Sequence, residues 1–311
     1  MSRRHSLRNA QIIALAYLLV CSVVNGENAS AQLIPDSTLN TESSVVVPLN
    51  SLVEQIQGGA IRGGNLFHSF NEFNVGTGRS VYFANPAAVT NILTRVTGVN
   101  PSDIFGTLGV DGNANLVLIN PNGINFGPDA SLDLRGSFTA TTADGIKLGE
   151  DAFFSATDTE NSSLLSIQPG ALFNNAVQNY QGNINQAGDL AVNPGENLTL
   201  LASWVKVTGS LTAPGGKVEV LGDRISLEEN AHINVSSPSG GGTVLVGGEF
   251  QGKGNTPTAT RTFVGKNVTI AANATVNGNG GEVIVWADQF TAFYGEVSAR
   301  GGTEGGDGGF V

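Results

Sequence analysis

The sequence predicts an all-β chain built as a right-handed parallel β-helix with an N-terminal cap. Three observations carry the prediction. Charged residues are only 13% of the 311 residues, about half the usual share, and helical surfaces are built from such residues. Glycine is high, at 42, as in chains of short strands joined by tight turns. From Leu198 onward a Gly-Gly-strand signature recurs: Gly215-Gly216 before Lys217–Val220, Gly241-Gly242 before Thr243–Val246, Gly280-Gly281 before Glu282–Val285, and Gly308-Gly309 before Phe310-Val311. The second glycines lie 26, 39 and 28 residues apart, and the long interval holds a Gly/Thr/Pro-rich insertion from Glu249 to Thr262. A period of this size marks a solenoid.

Each unit holds three short β-type segments, enough for one triangular turn. In one unit they are Val218–Leu221, Arg224–Leu227 and His232–Val235; in another, Val283–Trp286, Phe290–Phe293 and Glu296–Ala299. Glycine and asparagine serve the corners because they accept left-handed backbone angles cheaply. Alternate residues such as Val218 and Val220, Val244, or Val283 and Val285 are expected to face inward and stack on their counterparts. Glu219 and Thr243 are expected to face out. No single turn buries its apolar face, so stability comes from stacking.

The N-terminus reads as a secretory signal. Arg3, Arg4 and Arg8 form a positive region, residues 12–24 an apolar run, and Ala29-Ser30-Ala31 a small-residue cleavage site before Gln32. The run is short for a bilayer span. Cleavage removes three arginines and one glutamate from a net charge of −11, leaving −13. Such a surface repels nucleic acid, so none is expected as partner. The only cysteine, Cys21, also goes. The mature chain then has no disulfide or cysteine-ligated metal.

Residues 32–165 differ from residues 166–311, with longer and more aromatic segments such as 69–75 and 81–83. A solenoid's first turn exposes a strand edge that needs covering. Residues 32 to about 80 are therefore read as the cap, running into the first coils. Residues 166–311 are read as the β-helix continuation. It stops inside a Gly-Gly-strand signature, which predicts a solenoid truncated at its C-terminal side.

The sharpest segment runs from Asn113 to Gly127. An apolar strand leads into Asn120-Pro121-Asn122-Gly123 and resumes at Ile124. Pro121 suits the first central position of a tight turn, and Asn122 and Gly123 tolerate the positive φ that follows. Together with Gly64–Phe70, Asn91–Gly98 and Gly136–Asp144, this stretch resembles the N-terminal two-partner-secretion, or haemagglutination activity, domain of the filamentous haemagglutinin family. Asn120 to Ile124 matches that family's Asn-Pro-Asn-Gly-Ile motif. The later repeats look like the β-helical continuation of cyanobacterial members, especially Val283–Asp288. The resemblance implies an exported, adhesin-like surface protein, recognised in the periplasm by an outer-membrane TpsB/Omp85-type transporter. It further implies a chain that crosses unfolded and folds outside. Many members carry a second, upstream Asn-Pro-Asn-Leu motif. Here the similar place reads Asn85-Pro86-Ala87-Ala88, so only Asn85 and Pro86 carry over.

An enzyme is the disfavoured reading. β-Helical hydrolases and lyases need clustered acids, bases or paired carboxylates. After residue 31 the only histidines are His68 and His232, and Glu228, Glu229 and Asp288 read as solvated corners. No cofactor or metal is expected. The Asp111-Gly112-Asn113 and Gly305–Gly308 segments lack the spacing of calcium-binding β-rolls. The remaining alternative is a self-contained structural surface module.

Overall fold

The computed structural model describes residues 32–148, 152–162, 164 and 179–311. Among them strands dominate; helical geometry is confined to two single 3-10 turns, Asn40–Glu42 and Phe250–Gly252. The cleavage site at Ala29 and Ala31 lies outside the described residues. Gln32 opens the first strand and pairs with Asn74.

The chain winds as a parallel β-helix whose three faces stack strand on strand. The first face is a ladder of Asn65–Asn74, Asn91–Val96, Asn115–Ile119, Phe138–Thr141, the first half of Asn197–Val207, the first half of Lys217–Leu227, Thr243–Val246 and Glu282–Val285. The second face starts at Ser102–Ile104 and continues through Ile124–Phe126, Asn183–Gln186, the second halves of the two long strands, Arg261–Val264 and Phe290–Phe293. The third face runs from Val53–Gly58 through Ser80–Ala84 and onward to Glu296–Ser298. Every pairing along these ladders is parallel. The described residues thus hold eight coils, counted from Asn65.

The three-segment unit read from the sequence is the coil. Leu66, Ile92, Leu116, Phe138, Leu198, Val218, Val244 and Val283 are successive register partners, all buried, and form one inward stack. The Glu249–Thr262 insertion lies between the first and second faces of coil seven except for its last two residues, Arg261 and Thr262, which begin the second-face strand; coil six needs only a short bend there.

The recurring second glycines work differently from the expectation. Gly216, Gly242, Gly281 and Gly309 do not adopt positive φ. Their reason is close approach. A Cβ on Gly242 would stand 2.1 Å from the Gly216 carbonyl oxygen, on Gly281 2.0 Å from that of Gly242, and on Gly309 2.0 Å from that of Gly281. The glycines stack one on the next, and a side chain would push the coils apart.

Antiparallel pairing covers the N-terminal side. Gln32–Pro35 and Ala60–Arg62 pair along the edge of the Asn65–Asn74 strand that Asn91–Val96 leaves free, and Ser44–Pro48 pairs with Val53–Gly58. A second antiparallel hairpin, Gly145–Leu148 with Ala152–Ser155, leaves coil four between its first and second faces. The chain re-enters the solenoid at Asn183. The 165/166 division falls outside the described residues, and Phe138–Thr141 stacks directly on Leu198–Leu201 across it.

Two cores result. The inner one fills the solenoid. The outer one joins Leu39 and Ala60 of the cap, Phe67, Leu93, Val117 and Ile119 from the outside of the first face, and Ile146, Leu148, Phe154 and Ala156 of the hairpin segment. This explains the unbroken apolar run Leu116–Ile119: its strand is buried on both sides, so period-two alternation is absent.

Candidate functional site

The Asn-Pro-Asn-Gly segment is a solenoid corner, not a hairpin. Asn115–Ile119 lies on the first face and Ile124–Phe126 on the second, and the two do not pair. The turn closes with the Gly123 amide donating to the Asn120 carbonyl at 3.1 Å. Pro121 takes the first central position, as its fixed φ favours. Only Gly123 has positive φ, at 126°. Asn122 does not need the tolerance expected of it; its side chain is used instead.

Asn120 is fully buried. Its Nδ2 donates to the Asn100 carbonyl (3.1 Å) and to Ser102 Oγ (3.0 Å) in the preceding coil. Its Oδ1 accepts the Asn122 amide at 3.0 Å and Asn122 Nδ2 at 3.3 Å. Asn122 Nδ2 also reaches the Gly98 carbonyl at 2.8 Å. The Asn120 amide donates to the Thr141 carbonyl of the next coil. One corner therefore ties coils two, three and four. Ile124 is buried in the inner stack, in register with Ile184. The chain returning from the hairpin excursion presses on the same turn: a Cβ on Gly182 would stand 2.6 Å from the Pro121 carbonyl oxygen and from the Gly123 nitrogen.

Asn85 and Pro86 occupy another corner, between the third face of coil one and the first face of coil two. The structure does not bring them together with Asn120. Asn85 Oδ1 accepts the amides of Asn113 (3.0 Å) and Ala114 (3.1 Å) in the following coil, while its Nδ2 donates to the Val89 carbonyl at 3.0 Å. The turn closes from the Val89 amide to the Pro86 carbonyl at 3.1 Å, and Ala88 sits at φ 69°. Both Asn-Pro corners thus use an amide side chain as a clamp between coils, buried at Asn120 and half-buried at Asn85, one downward and one upward along the axis.

A third feature escaped the sequence reading. Arg95 is 1% exposed on the outside of coil two. It donates to Ser69 Oγ (2.9 Å), the Ser155 carbonyl (2.5 Å), Ser162 Oγ (2.8 Å) and Thr38 Oγ1 (2.8 Å), and its guanidinium lies 4.6 Å from the Phe154 ring centroid. Asp36 completes the network, accepting from Thr38, Ser69 and Thr97. Burial pushes Arg95 down to about 10, partly offset by the Asp36 charge. Burial acts to raise Asp36, but its hydroxyl and amide donors outweigh it and hold the carboxyl below the usual range. The network joins the cap, coils one and two, and the hairpin. The signal for it was the one charge inside the Asn91–Val96 strand, every residue of which is buried.

His68 sits inside coil one, hydrogen-bonded through Nδ1 to Ser44 Oγ of the cap at 2.9 Å and pushed by burial down to about 3. His232 lies far along the chain on the third face, beside Thr269 Oγ1 at 2.7 Å. Among the described residues no cluster of histidine and carboxylates has metal-holding geometry.

The molecule is a capped parallel β-helical solenoid, clamped at its corners by asparagines. The chain belongs to the TPS secretion domain family, whose model matches residues 31–284. Members are two-partner-secretion substrates, and membership implies secretion through the outer membrane to the cell surface. The family is one of secretion domains, not of enzymes. Similar solved structures include the HMW1 secretion domain from Haemophilus influenzae, with 20% identity and TM-score 0.43 over 90% of this chain and 94% of that one. The filamentous hemagglutinin secretion domain matches with 17% identity and TM-score 0.44, over 85% and 98%. No curated protein matches the sequence.

Proposed function

We propose that this chain is the part of a two-partner-secretion exoprotein that the periplasmic domains of an outer-membrane TpsB/Omp85-type transporter recognise. In this reading Ala29-Ser30-Ala31 is cleaved, Gln32 becomes the mature N-terminus, and the chain crosses the outer membrane unfolded. Coiling outside then favours forward movement. The Asn120–Ile124 corner acts mainly through that folding step.

The observation that supports this assignment is the burial of Asn120. A side chain with no exposure, whose donors are engaged by the preceding coil and whose acceptor is engaged by Asn122 of its own turn, offers nothing to a partner of the folded domain. Its loss leaves the Asn100 carbonyl and Ser102 hydroxyl short of a partner, which costs about 1–3 kcal/mol.

The test is secretion with the cognate transporter, scored beside the denaturant midpoint of the purified domain, for Asn120→Ala and Asn122→Ala. The folding role predicts that secretion and midpoint fall together, more for Asn120 than for Asn122. Lost secretion at an unchanged midpoint would instead establish direct reading of the motif in the unfolded chain. N-terminal sequencing of secreted material checks Gln32.

A further inference from the structure

The outside of the second face changes character along the solenoid. From coil five to coil eight one outward row reads Trp204, Arg224, Arg261 and Phe290, each in register with the next. Phe263 stands outward in the adjacent row, its ring 6.1 Å from that of Tyr294. All four aromatic residues are exposed, from 40% at Phe263 to 65% at Tyr294.

Trp204 Nε1 donates to Ser226 Oγ at 3.2 Å, but two properties of this stripe suit a partner better than the fold. Like charges directly opposite on neighbouring strands repel, and Arg224 and Arg261 are register partners. Asp223 is the nearest counter-charge, 3.8 Å from Arg224 Nε, and it also accepts the Thr260 hydroxyl. Arg261 has no ion pair among the described residues. Lys206, on the same face, is neutralised by Glu228 at 3.0 Å and adds no free charge. The second property is a run of large exposed rings on a flat sheet, the kind of apolar surface that marks an interaction site.

We propose that this stripe binds a linear, uronate-bearing polysaccharide. The two adjacent arginines together take one of its carboxylates, for which the planar guanidinium fork is matched. The faces of Trp204, Phe263, Phe290 and Tyr294 take its sugar rings. Charge complementarity is local: two adjacent guanidinium groups stand on a chain whose net charge is −11, or −13 without residues 1–31. That net charge repels a polyanion charged at every unit, such as nucleic acid, whereas a glycan with spaced carboxylates meets only the arginine pair. The strands are stacked about 4.8 Å apart, close to the advance of one ring in an extended glycan, so successive coils present successive sugars with a side chain. Secretion to the cell surface puts the stripe where such polymers are encountered.

The experiment is calorimetric titration of the full secreted chain with a hyaluronan oligosaccharide, with neutral dextran and oligo-dT as comparison ligands. Saturable, salt-sensitive binding of hyaluronan alone is expected. Arg224→Ser with Arg261→Ser should weaken it roughly tenfold or more while the denaturant midpoint stays or rises, since a repulsion is removed. Phe290→Ala should weaken it less. Arg135→Ser with Arg300→Ser removes the same charge away from the stripe and should leave binding unchanged. Absent binding, equal binding of dextran or oligo-dT, or equal weakening by the Arg135/Arg300 pair overturns the proposal.

Discussion

Coils one to three and coils five and six share one architecture but bury different surfaces. A single outward row of the first face shows it. In register order it reads Phe67, Leu93, Val117, Thr139, Thr199, Glu219, Leu245 and Ile284. The row is apolar and buried where the cap and the hairpin cover it, polar through coils four to six, and apolar again in coils seven and eight. The inward row from Leu66 to Val283 is apolar throughout, and the one from His68 and Thr94 to Val285 is apolar from Leu118 onward. A solenoid thus specifies its inside by repetition, while its outside is written coil by coil according to what lies over it.

The largest expected effect tests that row directly. Val117→Asp places a charge in the outer core and should cost more than about 3 kcal/mol, comparable to the inward Val244→Asp. Glu219→Val, in the same row, should move stability by about 1 kcal/mol or less. Denaturant midpoints of the purified domain decide it, and equal costs at positions 117 and 219 would break the comparison. Phe154→Ala, in the covering hairpin, should cost about 3–5 kcal/mol. Hydrogen exchange should show lost protection in 65–70 and 91–96 and retained protection in 243–246.

The acid response should belong to the N-terminal region. His68 has a folded value of about 3 against the ordinary 6.5, so between those values the unfolded chain binds the extra proton. Stability is therefore full above pH 6.5 and falls as pH drops, by about 1.4 kcal/mol per unit, reaching about 2 kcal/mol at pH 5. Asp36 adds a loss of the same sign only below 3.8, where its unfolded form protonates first. His68→Leu should flatten the midpoint profile between pH 6.5 and 4; an unchanged slope would remove His68 as its origin.

The smallest effects separate the two Asn-Pro corners. Ala88, at φ 69°, carries a left-handed penalty that glycine lacks, so Ala88→Gly should stabilise by about 0.5 kcal/mol after the unfolded-state entropy is deducted. Gly123→Ala should destabilise by at least about 1 kcal/mol, since φ is 126° and the Asn183 carbonyl stands 3.2 Å from the new Cβ. The same sign at both positions would show that the corners do not differ in strain.

The sequence by itself determined the solenoid: the Gly-Gly register, the three segments per unit and the inward valines are local or periodic features, and each is visible without knowing what lies above. It also marked Asn120–Ile124 as a turn. Tertiary structure alone decided the rest. Asn120 is a clamp because Asn100 and Ser102 stand in the coil beneath it, about twenty residues earlier in the chain. Arg95 is buried because Thr38, Ser155 and Ser162 arrive from both sides of it in sequence. Partners brought together by winding and by an excursion have no fixed spacing, so no periodicity could announce them.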